Sequence, residues 1–146
     1  MKIQELGHVV LYVSDIDRMA DFYAGTLGFP VIARGRGVAA FSGGRTHHEL
    51  LLIEVGPDAP NTNRKKTGLY HIGFKIGDTP EAARSAYKEL VAKGVRIVGT
   101  GDHRVTHSIY ILDPDGNELE LYADVSDEWK KNPAAVMKQV RPLNLD

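Results

Sequence analysis

The sequence contains no cysteine. That absence excludes disulfide scaffolds, thiol nucleophiles, iron–sulfur clusters and cysteine-bearing zinc sites together, and any metal must be held by nitrogen and oxygen. An excess of charge of either sign is missing too. The 18 Lys and Arg residues stand against 19 Asp and Glu and are scattered along the chain, so no basic field invites a phosphate backbone, and nucleic acid is excluded as a partner. No apolar run approaches the roughly 18 residues of a membrane span, and the opening Met1-Lys2-Ile3-Gln4-Glu5 lacks a basic-then-apolar signal pattern. The chain therefore reads as cytoplasmic, with no membrane partner. What is present, 146 residues of which 42% are hydrophobic, suits one domain whose core holds it without covalent staples.

Two stretches share one pattern, Leu6 to Asp15 and Leu69 to Asp78. In each, a histidine (His8, His71) opens a strand, alternating apolar residues follow it, and an Asp closes it seven places later. Each Asp leads into a helical pattern, Ile16 to Leu27 and Pro80 to Lys93. Asp15 or Asp17 is the expected N-cap of the first, Pro80 lies in the first turn of the second, and Gly28 and Gly94 end them. Three strand-like runs follow each helix: Phe29 to Ala33, Val38 to Phe41 and His48 to Val55, then Val95 to Gly99, Ser108 to Leu112 and Glu118 to Ala123. The last two are joined by Asp113-Pro114-Asp115-Gly116, a turn sequence. The expected fold class is α+β: tandem βαβββ modules, one over residues 4–55 and one over 68–124, forming a curved mixed sheet around a cleft, with helices outside. Residues 56–67 are the linker, and 125–146 a tail with one helix, Ser126 to Val140, interrupted near Pro133.

Strand alternation sorts the side chains. Val9, Leu11 and Val13, and likewise Ile72, Phe74 and Ile76, face the helices. The opposite faces carry His8, His71, Tyr110, Glu118, Glu120 and Tyr122. Two imidazoles in matched register and one carboxylate, Glu120, make a 2-His-1-carboxylate set, which binds a divalent metal on three adjacent positions and suits Fe(II) that works with O₂.

The paired modules, the stretch Asp21-Phe22-Tyr23-Ala24-Gly25-Thr26-Leu27-Gly28-Phe29 and the run Asp113 to Tyr122 resemble the vicinal oxygen chelate superfamily of glyoxalases, bleomycin resistance proteins and extradiol dioxygenases, over residues 4–124. Within it the chain is most similar to the extradiol ring-cleaving dioxygenases, in the small two-module form of catechol 2,3-dioxygenase. The resemblance implies metal ligands His8, His71 and Glu120, and catalytic residues His48, as proton shuttle, and Tyr110, ten residues before the carboxylate ligand. It also implies His103 as the substrate contact on a closing loop, and His107, in phase with Ile109 and Ile111, as structural or exterior. The implied reaction opens an aromatic diol next to its two hydroxyls with Fe(II) and O₂. Mn(II) in place of iron and a homodimer are both compatible with the resemblance. Ring-substituent selectivity is expected of the loops Asn61 to Lys66 and Gly101 to Val105.

Two alternatives stay open at this point. A glyoxalase-type lyase, isomerase or epimerase needs a fourth ligand on the closing strand of the first module. There the alignment with Asn117 to Glu120 puts Leu51, while strict alternation from His48 points Glu54 inward. A metal-free drug-binding protein of the same superfamily has no need of two histidines and a carboxylate together.

Overall fold

The computed structural model describes residues 1–60 and 67–146. The chain forms two compact units, Met1–Thr62 and Asn63–Asp146, each built around a four-stranded mixed sheet. The loop expected at Asn61 to Lys66 lies outside the described residues.

The first unit runs β1 (Val9–Val13), α1 (Ile16–Asp21), β2 (Val31–Gly35), β3 (Val38–Phe41) and β4 (Leu50–Glu54), with strand order β1-β4-β3-β2. β1 and β4 are parallel and the remaining pairs antiparallel. Leu11 and Val13 are buried while Val10 and Tyr12 on the other face of β1 are exposed, as the alternation predicts. Asp15 caps α1 by accepting from Arg18 N at 3.0 Å, and Ile16, Met19, Ala20 and Tyr23 fall at the i, i+3, i+4, i+7 spacing that buries one stripe against β3 and β4. The helix expected through Leu27 is α-helical only to Asp21. Over Phe22–Thr26 it widens into a π turn, closed by Leu27 N to Phe22 O at 3.0 Å. Gly25 and β-branched Thr26 weaken the α ladder at that point, and Gly28 at φ 71° ends it.

The second unit repeats the plan: β5 (His71–Gly77), α2 (Pro80–Ala92), β6 (Ile97–Asp102), β7 (Thr106–Leu112) and β8 (Glu118–Asp124), in the order β5-β8-β7-β6. β5 and β8 are parallel, and α2 packs on β5, β7 and β8. Leu119, Leu121 and Ala123 are buried beneath α2 with Ile109 and Ile111, leaving Glu118, Glu120, Tyr122, Ser108 and Tyr110 on the other face. Gly77 is required by close approach. A Cβ there would sit 2.5 Å from the Cβ of Ala82.

The tail departs from expectation. In place of one interrupted helix, it forms a short α3 (Glu128–Lys131), a 3-10 turn at Pro133–Met137 and then a two-bond bridge between Arg141 and Asp102 of β6. Asn132 precedes a proline and takes extended backbone, φ −133° and ψ 91°, which ends the α geometry. No helix among the described residues is long and apolar enough to cross a membrane.

Candidate functional site

The polar face of the second unit gathers four of the six residues singled out by sequence. β5 starts at His71, and parallel pairing sets His71 beside Glu118 and Gly73 beside Glu120. His71 Nε2 then lies 3.2 Å from Glu120 Oε2, and Nδ1 lies 3.5 Å from Glu118 Oε1. The other oxygen of Glu120 is held from behind. The Ser108 hydroxyl donates to Oε1 at 2.6 Å and the Tyr110 hydroxyl donates to it at 3.3 Å. His103 Nε2 is 2.7 Å from the Tyr110 oxygen. A phenol has one proton, and here it goes to Glu120, so His103 supplies the proton of its own bond to Tyr110.

Burial of Tyr110, with the nearby Glu120 charge and its hydrogen bond, pushes the phenol up to about 12, so it stays a protonated donor through the neutral range. Tyr70 is raised by its hydrogen bond to Glu118, and Tyr122 by burial and Asp124. His71, His103, Tyr110 and Glu120 open onto one cavity of about 520 Å³, which Trp129 and Val136 of the tail also line. His107 faces away, onto a separate cavity with Asp102, Arg104 and Arg141, as its phase with Ile109 and Ile111 predicts.

His8 and His48 belong to the first unit. Their rings stand 4.4 Å apart, and His47 Nδ1 contacts His48 Nδ1 at 2.6 Å. The loop that carries His47 and His48 is tied by Glu49, whose carboxylate accepts from the N–H groups of Gly43, Arg45 and Thr46 at 2.8, 3.1 and 3.1 Å. Desolvation first, and then the His8 and His47 charges, hold the His48 imidazole below its ordinary value. It is thus mostly neutral near pH 7 and able to accept a proton.

Register in the first unit bears on the fourth ligand. Val10 pairs with Leu51 as Gly73 pairs with Glu120, so Leu51 occupies the position equivalent to the carboxylate. Glu54, the other candidate, accepts from Ile16 N at 2.8 Å and so serves the start of α1.

Among the described residues, no three or more His, Asp or Glu side chains close around one cation position. The pair His71 and Glu120 nevertheless fits a cation. Two donors about 2.1 Å from a metal and at right angles lie about 3.0 Å apart, close to the spacing of this pair. His71 Nδ1 is buried without a hydrogen bond, beside a carboxylate of the kind that orients a ligating imidazole. Space beside Glu120 is kept open by Gly73, where a Cβ would stand 3.7 Å from Oε2.

Sequence reasoning missed Ser108, the hydroxyl nearest Glu120, although it shares the polar face and alternates with Tyr110. It also passed over His47 in favour of its neighbour.

Known proteins share this architecture. Residues 5–121 match the profile of the Glyoxalase/Bleomycin resistance protein/Dioxygenase superfamily. The chain is 35% identical over 121 residues to a catechol-2,3-dioxygenase from Bacillus subtilis (strain 168), covering 82% of this chain and 41% of that enzyme, so it spans less than half of the enzyme's length. It is 29% identical over 137 residues to the metallothiol transferase FosB of Lysinibacillus sphaericus (strain C3-41), covering 90% of this chain and 93% of the transferase. A solved glyoxalase/dioxygenase from Nostoc punctiforme has the same fold, with a TM-score of 0.66 at 24% identity over 84% of this chain and 92% of that one.

Proposed function

The chain belongs to the Glyoxalase/Bleomycin resistance protein/Dioxygenase superfamily, and on that premise we propose that it is an extradiol dioxygenase that opens a catechol-type ring with Fe(II) and O₂. His8, His71 and Glu120 are the ligands in this reading. The observation that carries it is Leu51 in the place equivalent to Glu120, with Glu54 engaged at α1. The chain then offers three ligands rather than four, which leaves room for a bidentate diol and O₂.

When bound, the metal supplies a template for vicinal oxygens and a path for electrons between diol and O₂. The chain's own groups do the remaining work. Neutral His48 takes a proton from a diol hydroxyl and returns it as the ring opens. Tyr110, kept protonated, would turn its single O–H from Glu120 to an oxygen of the reacting pair when that pair is bound, while the His103 N–H stays on the phenol oxygen and holds it in place. Ring carbon–carbon cleavage beside the diol places both atoms of O₂ in the product, a semialdehyde of the muconate type.

A second reading, a metal-dependent lyase or transferase acting on thiols, draws on the near full-length likeness to the metallothiol transferase. The two are separated by loading the protein with Fe(II) without oxygen and adding catechol and air, with methylglyoxal and glutathione in parallel. The dioxygenase reading expects oxygen uptake equal to the catechol lost and a yellow product, both abolished by Glu120→Ala. Turnover of the thiol substrate alone would overturn it.

A further inference from the structure

We propose that the cavity beside the β6–β7 turn, onto which His107 opens, is a binding site for the oxyanion of a small hydrophilic molecule, a carboxylate or a phosphoryl group. It lies wholly within the second unit, and neither the metal ligands nor the dioxygenase reading enters into it.

Backbone register assembles the site. The bridge to the tail sets Arg141 directly across from Asp102 of β6, and Asp102 lies across from His107 of β7, so the three residues form one row on one face of the sheet. The turn that follows β6 is closed by His103 N donating to Thr106 O at 2.9 Å, and Arg104 inside it has φ 71°. Glycine or asparagine takes that conformation with little strain. The chain instead bears the strain of an arginine, which sets a guanidinium beside the row. The cavity they line has a volume of about 530 Å³, within the range of small-molecule sites.

Charge then selects the ligand. Three cationic side chains, Arg104, Lys138 and Arg141, stand in the lining against two carboxylates, Asp102 and Glu128, so one positive charge is left over. Lys138 and Glu128 satisfy each other at 2.8 Å. Asp102 Oδ1 accepts from Arg104 N at 2.7 Å and stands 3.9 Å from His107 Nε2. Among the described residues, neither Arg104 nor Arg141 has a side-chain ion pair. Arg104 Nε, always a donor, is buried without an acceptor in the protein, and His107 Nδ1 is buried without a partner as well. Buried nitrogens in this state are costly, and an oxyanion that reaches them relieves that cost. Two guanidiniums short of an acceptor suit carboxylate or phosphoryl oxygens, which their planar forks grip in pairs. Val125 is the one apolar side chain among the lining residues, so the body that carries the anion is hydrophilic.

Glycerol 3-phosphate, glycerate and glycerol share a small polar body and differ in the anion. Calorimetric titration of the whole protein with each, at constant ionic strength and with a chelator present to keep metal-bound anions out of the signal, tests the site. Saturable one-to-one binding of at least one of the two anions is expected, with none of glycerol, and the tighter anion identifies the group. Arg104→Gly removes the guanidinium and gives φ 71° to the residue that adopts it freely. It should bind that anion about tenfold or more weakly, with a melting temperature equal to or above the parent's. Arg141→Gln alters an exposed side chain and keeps the backbone bonds to Asp102, and it should lose a similar factor. Arg84→Gln, exposed on α2, removes the same charge from another surface and should change affinity by less than about twofold. No saturable binding of either anion up to about 10 mM, parent-like affinity in Arg104→Gly or Arg141→Gln, or an equal loss in Arg84→Gln would each overturn the site.

Discussion

Glu120 is held at one oxygen and presented at the other. Ser108 and Tyr110 both donate to Oε1, while Oε2 faces His71. In the proposed metal-binding reading, this arrangement leaves Glu120 a single oxygen with which to ligate, and the shorter of the two bonds comes from a serine that is fully buried. Ser108→Ala should weaken Fe(II) or Mn(II) binding by about 10- to 100-fold, the usual effect of losing a partner behind a ligand. In cobalt-loaded protein, the visible spectrum should shift as Oε1 is freed to bind. An unchanged metal affinity and spectrum, with the fold intact by thermal melting, would show that Ser108 serves packing alone. The site's residues were unequally legible. His71, Glu120 and Tyr110 stood out because strand alternation isolates polar side chains on one face, and His103 because its loop resembles the family's closing loop; the structure joins the four within a few ångströms. Ser108 did not, because a lone serine in an apolar strand has no chemistry until its neighbour across the sheet is known. Pairing of Ser108 with Tyr122 and of Tyr110 with Glu120 is information about register, which one strand's sequence does not contain.

At the level of elements, local rules were read well wherever capping chemistry was strong. Asp15 caps α1, Pro80 opens the first turn of α2 behind a Thr79 cap that only the structure shows, and Gly94 at φ 67° ends that helix. They were read poorly where competing terms are close in size. The π turn at Phe22–Thr26 and the broken tail follow from weak helix formers and from Asn132 before Pro133, each a cost of order 1–3 kcal/mol that packing tips one way or the other. A sharper case is the crossing of β5 and α2. Gly77→Ala puts a methyl 2.5 Å from Ala82 Cβ, two rigid groups with no rotamer to yield. We expect a loss of about 1–3 kcal/mol in chemical denaturation, largely relieved by pairing it with Ala82→Gly. A stability equal to that of the parent would mean that strand and helix are not packed this closely.

For the whole molecule, duplication is the organising fact. Both units have the order βαβββ, the same strand arrangement and the same parallel closing pair, so a histidine at the start of the first strand recurs at one place in each. The repeat was visible because both strands begin with His and end with Asp. The divergence between units was visible only in part: Leu51 against Glu120 could be aligned, but the engagement of Glu54 with Ile16 N depends on where α1 starts in space. In the proposed reading, two imidazoles and a single acidic group make up the metal set, with Leu51 at the first unit's position equivalent to Glu120. The most direct test of that account is the iron content of protein loaded and desalted without oxygen, compared among the parent, His8→Ala and Glu120→Ala. The account predicts one iron per chain in the parent and a fall to a small fraction of that in each variant, with unchanged thermal melting of the metal-free proteins. Full iron retention in His8→Ala would contradict it.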